Sequence, residues 1–435
     1  MSHPSSTRKL ESRAVARSYF GTDGVRGIVG EFLTPELVEQ LGKASALWSG
    51  RGRVFMGRDT RASGEGLEEA FARGVASAGG SAVLAGVVPT PAVALLRLDL
   101  GVIITASHNP PEYNGVKFFD GDGRKLNDAA EEEIEALLDA PAPGGGEIDR
   151  VGVAVDSYLE HVLERFGSDL TGMRIAVDCA NGSYSEIAPQ AFEQMGAHVE
   201  AIGNKPDGNN INVGCGATDL GALQHRVTAG RFDLGIAFDG DGDRMLAVDE
   251  NGAALDGDQI VAILALALGV DLVAVTTMTN LGFHRLMEEN GVRVITTDVG
   301  DRYVLEALYR EGGILGGEQS GHIIFLRDHV TGDGLASALQ LCGALGGRRL
   351  SEAAAQMVRY PQVKQNLPRV GRGPLPEGLL EQLEAVNLEL NGSGRVLVRP
   401  SGTEPVVRVL AEAPTQEEAE SLCARIASLV TQELG

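Results

Sequence analysis

The chain has little of what would place it in an oxidising compartment, on a nucleic acid or in a membrane. Its four cysteines, Cys179, Cys215, Cys342 and Cys423, stand far apart in 435 residues with no Cys-x-x-Cys spacing. That argues against both a disulfide framework and a zinc site, and it fits a reducing cytoplasm. Basic residues are scarce: 37 Lys and Arg against 60 Asp and Glu give a formal charge of -23. Such a field repels nucleic-acid backbones and anionic lipid, so neither is expected as a partner. No apolar run reaches the roughly 18 residues of a membrane span. The longest candidate, Ile260 to Val275, is broken by Gly269 and Asp271 and reads as a buried helix. Residues Met1 to Ser18 lack an apolar stretch of the secretory kind and read as a flexible tail. A small anionic substrate remains open, provided Arg, Lys or a metal ion reverses the field locally.

What is present is a soluble composition, 43% apolar and 22% charged, on a chain too long for one core. Three stretches repeat one pattern of apolar strand, polar loop, amphipathic helix and second strand. They run from Arg53 to Ala85, from Met173 to Ile202 and from Leu272 to Thr296. Strands joined through a helix of that length pair in parallel, so three related α/β domains are expected, with ligands at the carboxyl ends of the strands. The Pro- and Gly-rich segment Pro141 to Gly146 reads as a linker. The remainder, with strands near Arg395 and Val406 and a terminal helix, reads as a smaller α+β domain. The expected division is a tail at 1–18, α/β domains at 19–150, 151–254 and 255–364, and the α+β domain at 365–435.

Five segments carry the chemistry. Thr105-Ala-Ser-His-Asn-Pro110 follows an apolar strand, and its Asn-Pro then enforces a turn, presenting Ser107 at the strand's end; by itself it is equally an ordinary turn serine. Lys117, ten residues on, is placed to bring an ammonium to it. Asp239-Gly-Asp-Gly-Asp-Arg244 lies between two apolar strands, with glycines that let Asp239, Asp241 and Asp243 converge. Three converging carboxylates call for a cation, and all-oxygen ligation selects Mg²⁺ over Zn²⁺. An EF-hand register ending at Glu250 fails, because Arg244 stands where glycine is needed and strands flank the loop. A phosphorylated Ser107 would complete the ligand set and be polarised by the metal.

Arg399-Pro-Ser-Gly-Thr-Glu404, echoed by Arg408, offers guanidiniums, the hydroxyls of Ser401 and Thr403 and the amide of Gly402 to a phosphate. A polar hairpin is the equal alternative. Gly316-Gly-Glu-Gln-Ser-Gly-His322 suits sugar hydroxyls or an amino group, with a plain glycine-rich turn as its alternative. Phe20-Gly-Thr-Asp-Gly-Val-Arg-Gly27 sets Arg26 in a loop, where a structural salt bridge is equally open.

In this order the five segments resemble the α-D-phosphohexomutase family. The resemblance implies four domains around a central cleft, with the last closing over substrate. It implies that Ser107 carries the phosphoryl group, as a phosphoserine, and that Asp239, Asp241 and Asp243 bind Mg²⁺ with it. Glu318 and Ser320 would recognise the sugar, joined by Arg244, Asp301, Arg302 and His322. Arg399, Ser401, Gly402, Thr403 and Arg408 would hold the idle phosphate.

The wording of the Phe20, Val299 to Val304, Gly316 and Arg399 segments is similar to members acting on glucosamine phosphate. The implied reaction interconverts glucosamine 6-phosphate and glucosamine 1-phosphate through a 1,6-bisphosphate, supplying UDP-N-acetylglucosamine for cell-wall synthesis. Glucosamine or glucose 1,6-bisphosphate would serve as activator, and a homodimer is the implied assembly. Proton transfer falls to Lys117 or His108, with Arg26 assisting. Phosphomannomutase or phosphoglucomutase activity, and a non-catalytic sugar-phosphate sensor, are the alternatives.

Overall fold

A computed structural model describes residues 18–21, 23–368, 374–400 and 406–434. The expected tail, up to residue 17, lies outside the described residues, as do Ser401, Gly402 and Thr403.

The three repeats fold into three mixed sheets with one shared plan. In the first, the central strand Arg53–Arg58 pairs in parallel with Ser81–Val87 on one side and Leu100–Ile104 on the other, and Tyr113–Phe119 then returns antiparallel. In the second, Arg174–Asp178 lies between His198–Ile202 and Leu234–Phe238, both parallel, and Met245–Asp249 returns antiparallel. In the third, Leu272–Thr276 lies between Arg293–Thr297 and Leu315–Gly317, and Ile323–Phe325 returns. The parallel pairs follow from the helical crossovers Gly64–Ser77, Ile187–Gln194 and Leu281–Glu289. The expected strands and helices are found within a few residues of where periodicity set them. After the linker segment, Glu147–Arg150 adds a parallel edge strand to the first sheet, against Ser81–Val87.

The last parallel strand and its antiparallel return are joined by one connection in each repeat. That connection holds Ser107 in the first sheet, Asp239 to Arg244 in the second and Glu318 to His322 in the third. The same corner of three related units therefore carries three different chemistries, and packing the units together brings the corners to one place.

The apolar run from Ile260 is not one helix. The helix Gly257–Leu268, capped at its start by Asp256, ends at Gly269, whose φ of +60° closes it, and Leu272–Thr276 is already the central strand of the third sheet. A left-handed glycine followed by an aspartate ends the helix however apolar the flanks are.

One apolar core runs through the three α/β units, from Phe55 and Ile103 through Phe238 to Leu335 and Met357. The C-terminal unit is smaller and differently built: Gln362–Pro368, Val406–Glu412 and Arg395–Pro400 form an antiparallel sheet, with Val406–Glu412 central. Helices Glu377–Leu390 and Gln416–Leu434 pack on it around a separate core from Leu375 to Val430. No helix among the described residues is long and apolar enough to cross a membrane.

Candidate active site

Ser107 is almost fully buried and holds a left-handed backbone, φ +52°, a conformation that costs a non-glycine residue about 1–2 kcal/mol. Three groups hold it there. Its amide donates to Thr105 Oγ1 at 2.9 Å, and Thr105 Oγ1 in turn donates to Asp59 Oδ2 at 2.7 Å. Its carbonyl accepts from Arg61 Nη2 and from Asn212 Nδ2, both at 2.9 Å. Arg61 is a buried guanidinium paired to Asp59 at 2.9 Å, and it also donates to the carbonyls of Asn109, Pro110 and Tyr113. It thus pins the whole turn after Ser107.

The Ser107 hydroxyl donates to Asp239 Oδ2 at 2.6 Å and lies 3.2 Å from His108 Nδ1. Asp239, Asp241 and Asp243 are buried, and one carboxylate oxygen of each lies within 4.8 Å of the others. Gly240 and Gly242 make this possible. A Cβ at 240 would stand 2.8 Å from the Ser107 carbonyl, and one at 242, where φ is +77°, would stand 2.4 Å from the Tyr184 ring. Burial first, then the neighbouring Asp243 and Asp241, push Asp239 up to about 8. Burial raises Asp241 and Asp243 too, but the Lys117 ammonium, 2.7 and 2.9 Å away, together with Thr90 at Asp241 and with His322 and Arg244 at Asp243, holds both below the usual carboxylate range. Thr90 Oγ1 donates to Asp241 Oδ2 at 2.6 Å, while Asp241 Oδ1 accepts no hydrogen bond from any described residue. A buried carboxylate oxygen left without a donor is costly, and a cation would satisfy it. The donor set fits a hard, oxygen-ligated divalent ion.

Around this acidic centre the field turns positive. Lys117 also pairs with Asp23 at 3.4 Å, and Asp23 binds Arg26 and, at 2.7 Å, Lys125. Burial opposes the charge on Lys117, yet Asp23, Asp241 and Asp243 together raise its pKa, so it remains an ammonium. His322 is likewise charged: burial lowers it, but Asp243 at 3.0 Å lifts it to about 10. His108 goes the other way, pushed down to about 4 by burial, Arg244 and Arg26, and is neutral at pH 7.

Of these groups Asp23, Arg26, His108 and His322 open onto a cleft of about 660 Å³, whose lining also includes Arg244, Asp301, Glu318, Ser320, Arg399 and Arg408. Glu318 is fixed by the Gly300 amide at 2.9 Å and by His322 Nδ1 at 3.1 Å. Asp301 is tied to Lys125 at 2.8 Å. Arg399 and Arg408 face each other in register on adjacent strands. Burial and Arg408 lower the Arg399 pKa, the mark of two like charges held side by side. Arg302 is turned elsewhere, paired with Asp128 at 2.9 Å and Glu306 at 3.3 Å in a neighbouring crevice. A larger hollow of about 830 Å³, lined by Ser168, Arg231 and Arg349 among others, contains none of these residues. Chemistry, not volume, picks out the smaller cleft.

Sequence reasoning missed Asp23, Asp59, Arg61, Thr90, Lys125 and Asn212. The run Gly57-Arg-Asp-Thr-Arg61 offered one signal, three charged residues at the end of an apolar strand, but nothing local shows that Arg61 reaches a turn 46 residues on. Replacing Arg61 by Lys keeps the charge and loses the planar fork that holds four carbonyls. Turnover is expected to fall about 100-fold, the scale of a small misplacement at a reacting atom. Steady-state kinetics beside a thermal melt check this, and unchanged turnover would remove Arg61 from the account.

Four family models match in succession: phosphoglucomutase/phosphomannomutase alpha/beta/alpha domain I over residues 17–143, domain II over 156–252, domain III over 256–360, and the C-terminal domain over 362–429. The chain is 47% identical to the phosphoglucosamine mutase of Moorella thermoacetica over 439 residues, covering 94% of this chain and 99% of that one. It is 45% identical to that of Staphylococcus aureus strain Newman, covering 96% and 99%. Among solved structures it is similar to a phosphoglucomutase/phosphomannomutase family protein from Burkholderia thailandensis, at TM-score 0.79 and 25% identity over 94% of this chain and 96% of that one. It shares the fold of the Aspergillus fumigatus N-acetylphosphoglucosamine mutase solved with GlcNAc-6P and magnesium, at TM-score 0.68 and 19% identity over 96% of each chain.

Proposed function

The chain belongs to the phosphoglucomutase/phosphomannomutase family, and from that premise we propose that it acts as a phosphoglucosamine mutase, interconverting glucosamine 6-phosphate and glucosamine 1-phosphate. The observation that carries the chemistry is a buried serine hydroxyl held against three carboxylates, whose sequence neighbours His108 and Arg244 line the same cleft as a facing pair of arginines. The choice of amino sugar rests on the named activity of relatives matched over nearly their whole length.

In this reading Ser107 is carried as a phosphoserine. Its phosphoryl group passes to O1 of glucosamine 6-phosphate: the P–Oγ bond breaks as the P–O1 bond forms, and the O1 proton leaves to a nearby base. The product is the 1,6-bisphosphate. Turned end for end, it gives its 6-phosphoryl group to Ser107: the P–Oγ bond forms as the P–O6 bond breaks, O6 takes up the proton held since the first transfer, and glucosamine 1-phosphate leaves. Arg399 and Arg408 hold the phosphate that is idle in each half-reaction, with Ser401, Gly402 and Thr403 as their partners by motif. Glu318 and Ser320 bind sugar hydroxyls with Asp301 beside them in the cleft, while His322 and the Gly300 amide fix Glu318.

Asp239, Asp241 and Asp243 would hold Mg²⁺ together with the serine phosphate, and the ion supplies Lewis-acid polarisation of phosphorus when bound. Lys117 and Arg26 add fixed positive charge against the equatorial oxygens of a loose transition state. His108 fits the proton-accepting role better than Lys117, since its Nδ1 lies 3.2 Å from Oγ while Lys117 is committed to carboxylates. A weak base suffices where positioning and charge carry most of the barrier. The four cysteines, all buried and free, suit a cytoplasmic enzyme.

Two measurements test this. Coupled assays with glucosamine, glucose and mannose 6-phosphates are expected to favour glucosamine, and better turnover of either other sugar would overturn the assignment. Replacing Arg408 by Ala is expected to raise KM for glucosamine 6-phosphate about 10–100-fold, the scale of one charge-assisted hydrogen bond to phosphate. An unaltered KM would show that the cradle lies elsewhere.

A further inference from the structure

Among the described residues the C-terminal domain shares no apolar core with the other three, so other contacts fasten it. The seam is polar. Gln319 Nε2 donates to Gln362 Oε1 at 2.9 Å and to Asp258 Oδ2 at 3.3 Å, and Gln362 Nε2 donates to Glu412 Oε1 at 2.9 Å. Carboxylate, amide, amide and carboxylate thus form one relay from the third domain into the fourth. Asp258 and Glu412 are both buried, and as acceptors they force each amide to aim its NH₂ in a fixed sense. Glu412 is held by Gln362 on one side and Arg395 on the other, its two register partners in the sheet, and it also accepts from the Leu281 amide at 3.0 Å. Lys364 Nζ closes the arrangement on Gln319 Oε1 at 2.9 Å.

Gln319 is the member of this relay that stands between Glu318 and Ser320. Its carbonyl accepts from Gly257 at 3.0 Å, and a Cβ at Gly257 would lie 2.0 Å from the Glu318 carbonyl, so the loop backbone is seated tightly on the start of the Gly257–Leu268 helix. A sugar that moves Glu318 or Ser320 therefore pulls on the Gln319 side chain, and through it on the strand Gln362–Pro368. That strand pairs with Val406–Glu412, the carrier of Arg408.

We propose that Gln319 and Gln362 are positioning residues that couple the sugar loop to the docked position of the C-terminal domain, so that sugar binding sets Arg399 and Arg408 over the distal phosphate. The inference rests on the phosphosugar reading above and adds a route to it. A hydrogen-bonded seam suits this task better than an apolar one, because hydrogen bonds can be exchanged for water as the domain shifts, while an apolar seam is held shut by its buried area.

Gln362 is the decisive position, since it lines a separate hollow of about 520 Å³ and not the cleft. Q362L is expected to raise KM for glucosamine 6-phosphate about tenfold, the scale of one or two lost hydrogen bonds, with kcat within about twofold of wild type. Q319L is expected to do at least as much, and the double variant no more than Q319L alone, because the second change removes a link already cut. Small-angle X-ray scattering is expected to show the wild type contracting on saturation with glucosamine 6-phosphate, and Q362L contracting less. K364M, an exposed change beside the relay, serves if either leucine variant fails to fold, with the same direction of shift. Wild-type KM and contraction in Q362L, or effects that simply add, would overturn the coupling while leaving the mutase reading intact. An inactive wild type would sink that reading instead.

Discussion

Replacing Ser107 by Ala is expected to abolish turnover while leaving the fold and the melting temperature nearly unchanged. The expectation has two halves with separate causes. The chemical half is that Ser107 Oγ lies 2.6 Å from Asp239, while the other hydroxyl held against these aspartates among the described residues, Thr90 Oγ1, is already spent on Asp241. Without Oγ there is no carrier for the phosphoryl group, and the exchange between O1 and O6 loses its covalent intermediate. The structural half is that Ala and Ser both carry a Cβ, so the left-handed backbone at φ +52° is strained equally in both. The variant loses one hydrogen bond to Asp239, a change of about 1 kcal/mol. Intact-mass measurement is expected to find one phosphate on the wild type and none on the variant. Dephosphorylated wild type is expected to regain activity with trace glucose 1,6-bisphosphate or a kinase, and the variant with neither. Retained mutase activity in the variant would end the covalent route.

The parts of this site that could be read from the sequence are those whose chemistry is written in consecutive residues. Asp239 to Arg244 is a contiguous acidic loop between two apolar strands, and its glycines announce the tight turn that the structure shows over Tyr184 and the Ser107 carbonyl. The repeat of strand, loop and helix was legible for a similar reason, since period-2 and period-3.6 patterns are local. Arg61, Asn212 and Thr90 were not legible, because each acts on a partner between 46 and 151 residues away and looks alone like any polar loop residue. The common corner of the three sheets was equally hidden, although each of its loops had been singled out. Strand order, which only pairing reveals, is what makes Ser107, Asp241 and Glu318 occupants of equivalent positions. The apolar run from Ile260 misled for the converse reason: composition spoke for a single helix, and the backbone of Gly269 decided otherwise.

Stripping divalent ions with a chelator is expected to abolish turnover, and Mg²⁺ to restore it. The argument begins with electrostatics. Four buried or half-buried carboxylates, Asp23, Asp239, Asp241 and Asp243, crowd one region, and Lys117 pairs with three of them, Asp23, Asp241 and Asp243. Asp239 is left to its neighbours' repulsion, which with burial raises it to about 8. Stability from an ionised Asp239 is therefore absent at neutral pH unless a cation lowers that value. A bound Mg²⁺ would do so, and by linkage it would stabilise the fold by about 2.7 kcal/mol at a hundred times its dissociation constant. Thermal unfolding in Mg²⁺ and in chelator is accordingly expected to show a higher melting temperature with the ion, independent of any turnover. Asp241→Asn removes one carboxylate charge and weakens the hold on Lys117. Its turnover is expected to fall about 100- to 1,000-fold, the scale of one lost electrostatic contact at a transition state, and its melting temperature to respond less to Mg²⁺. A wild type whose melting temperature and activity ignored both chelator and Mg²⁺ would leave the three aspartates without the ion that their burial demands.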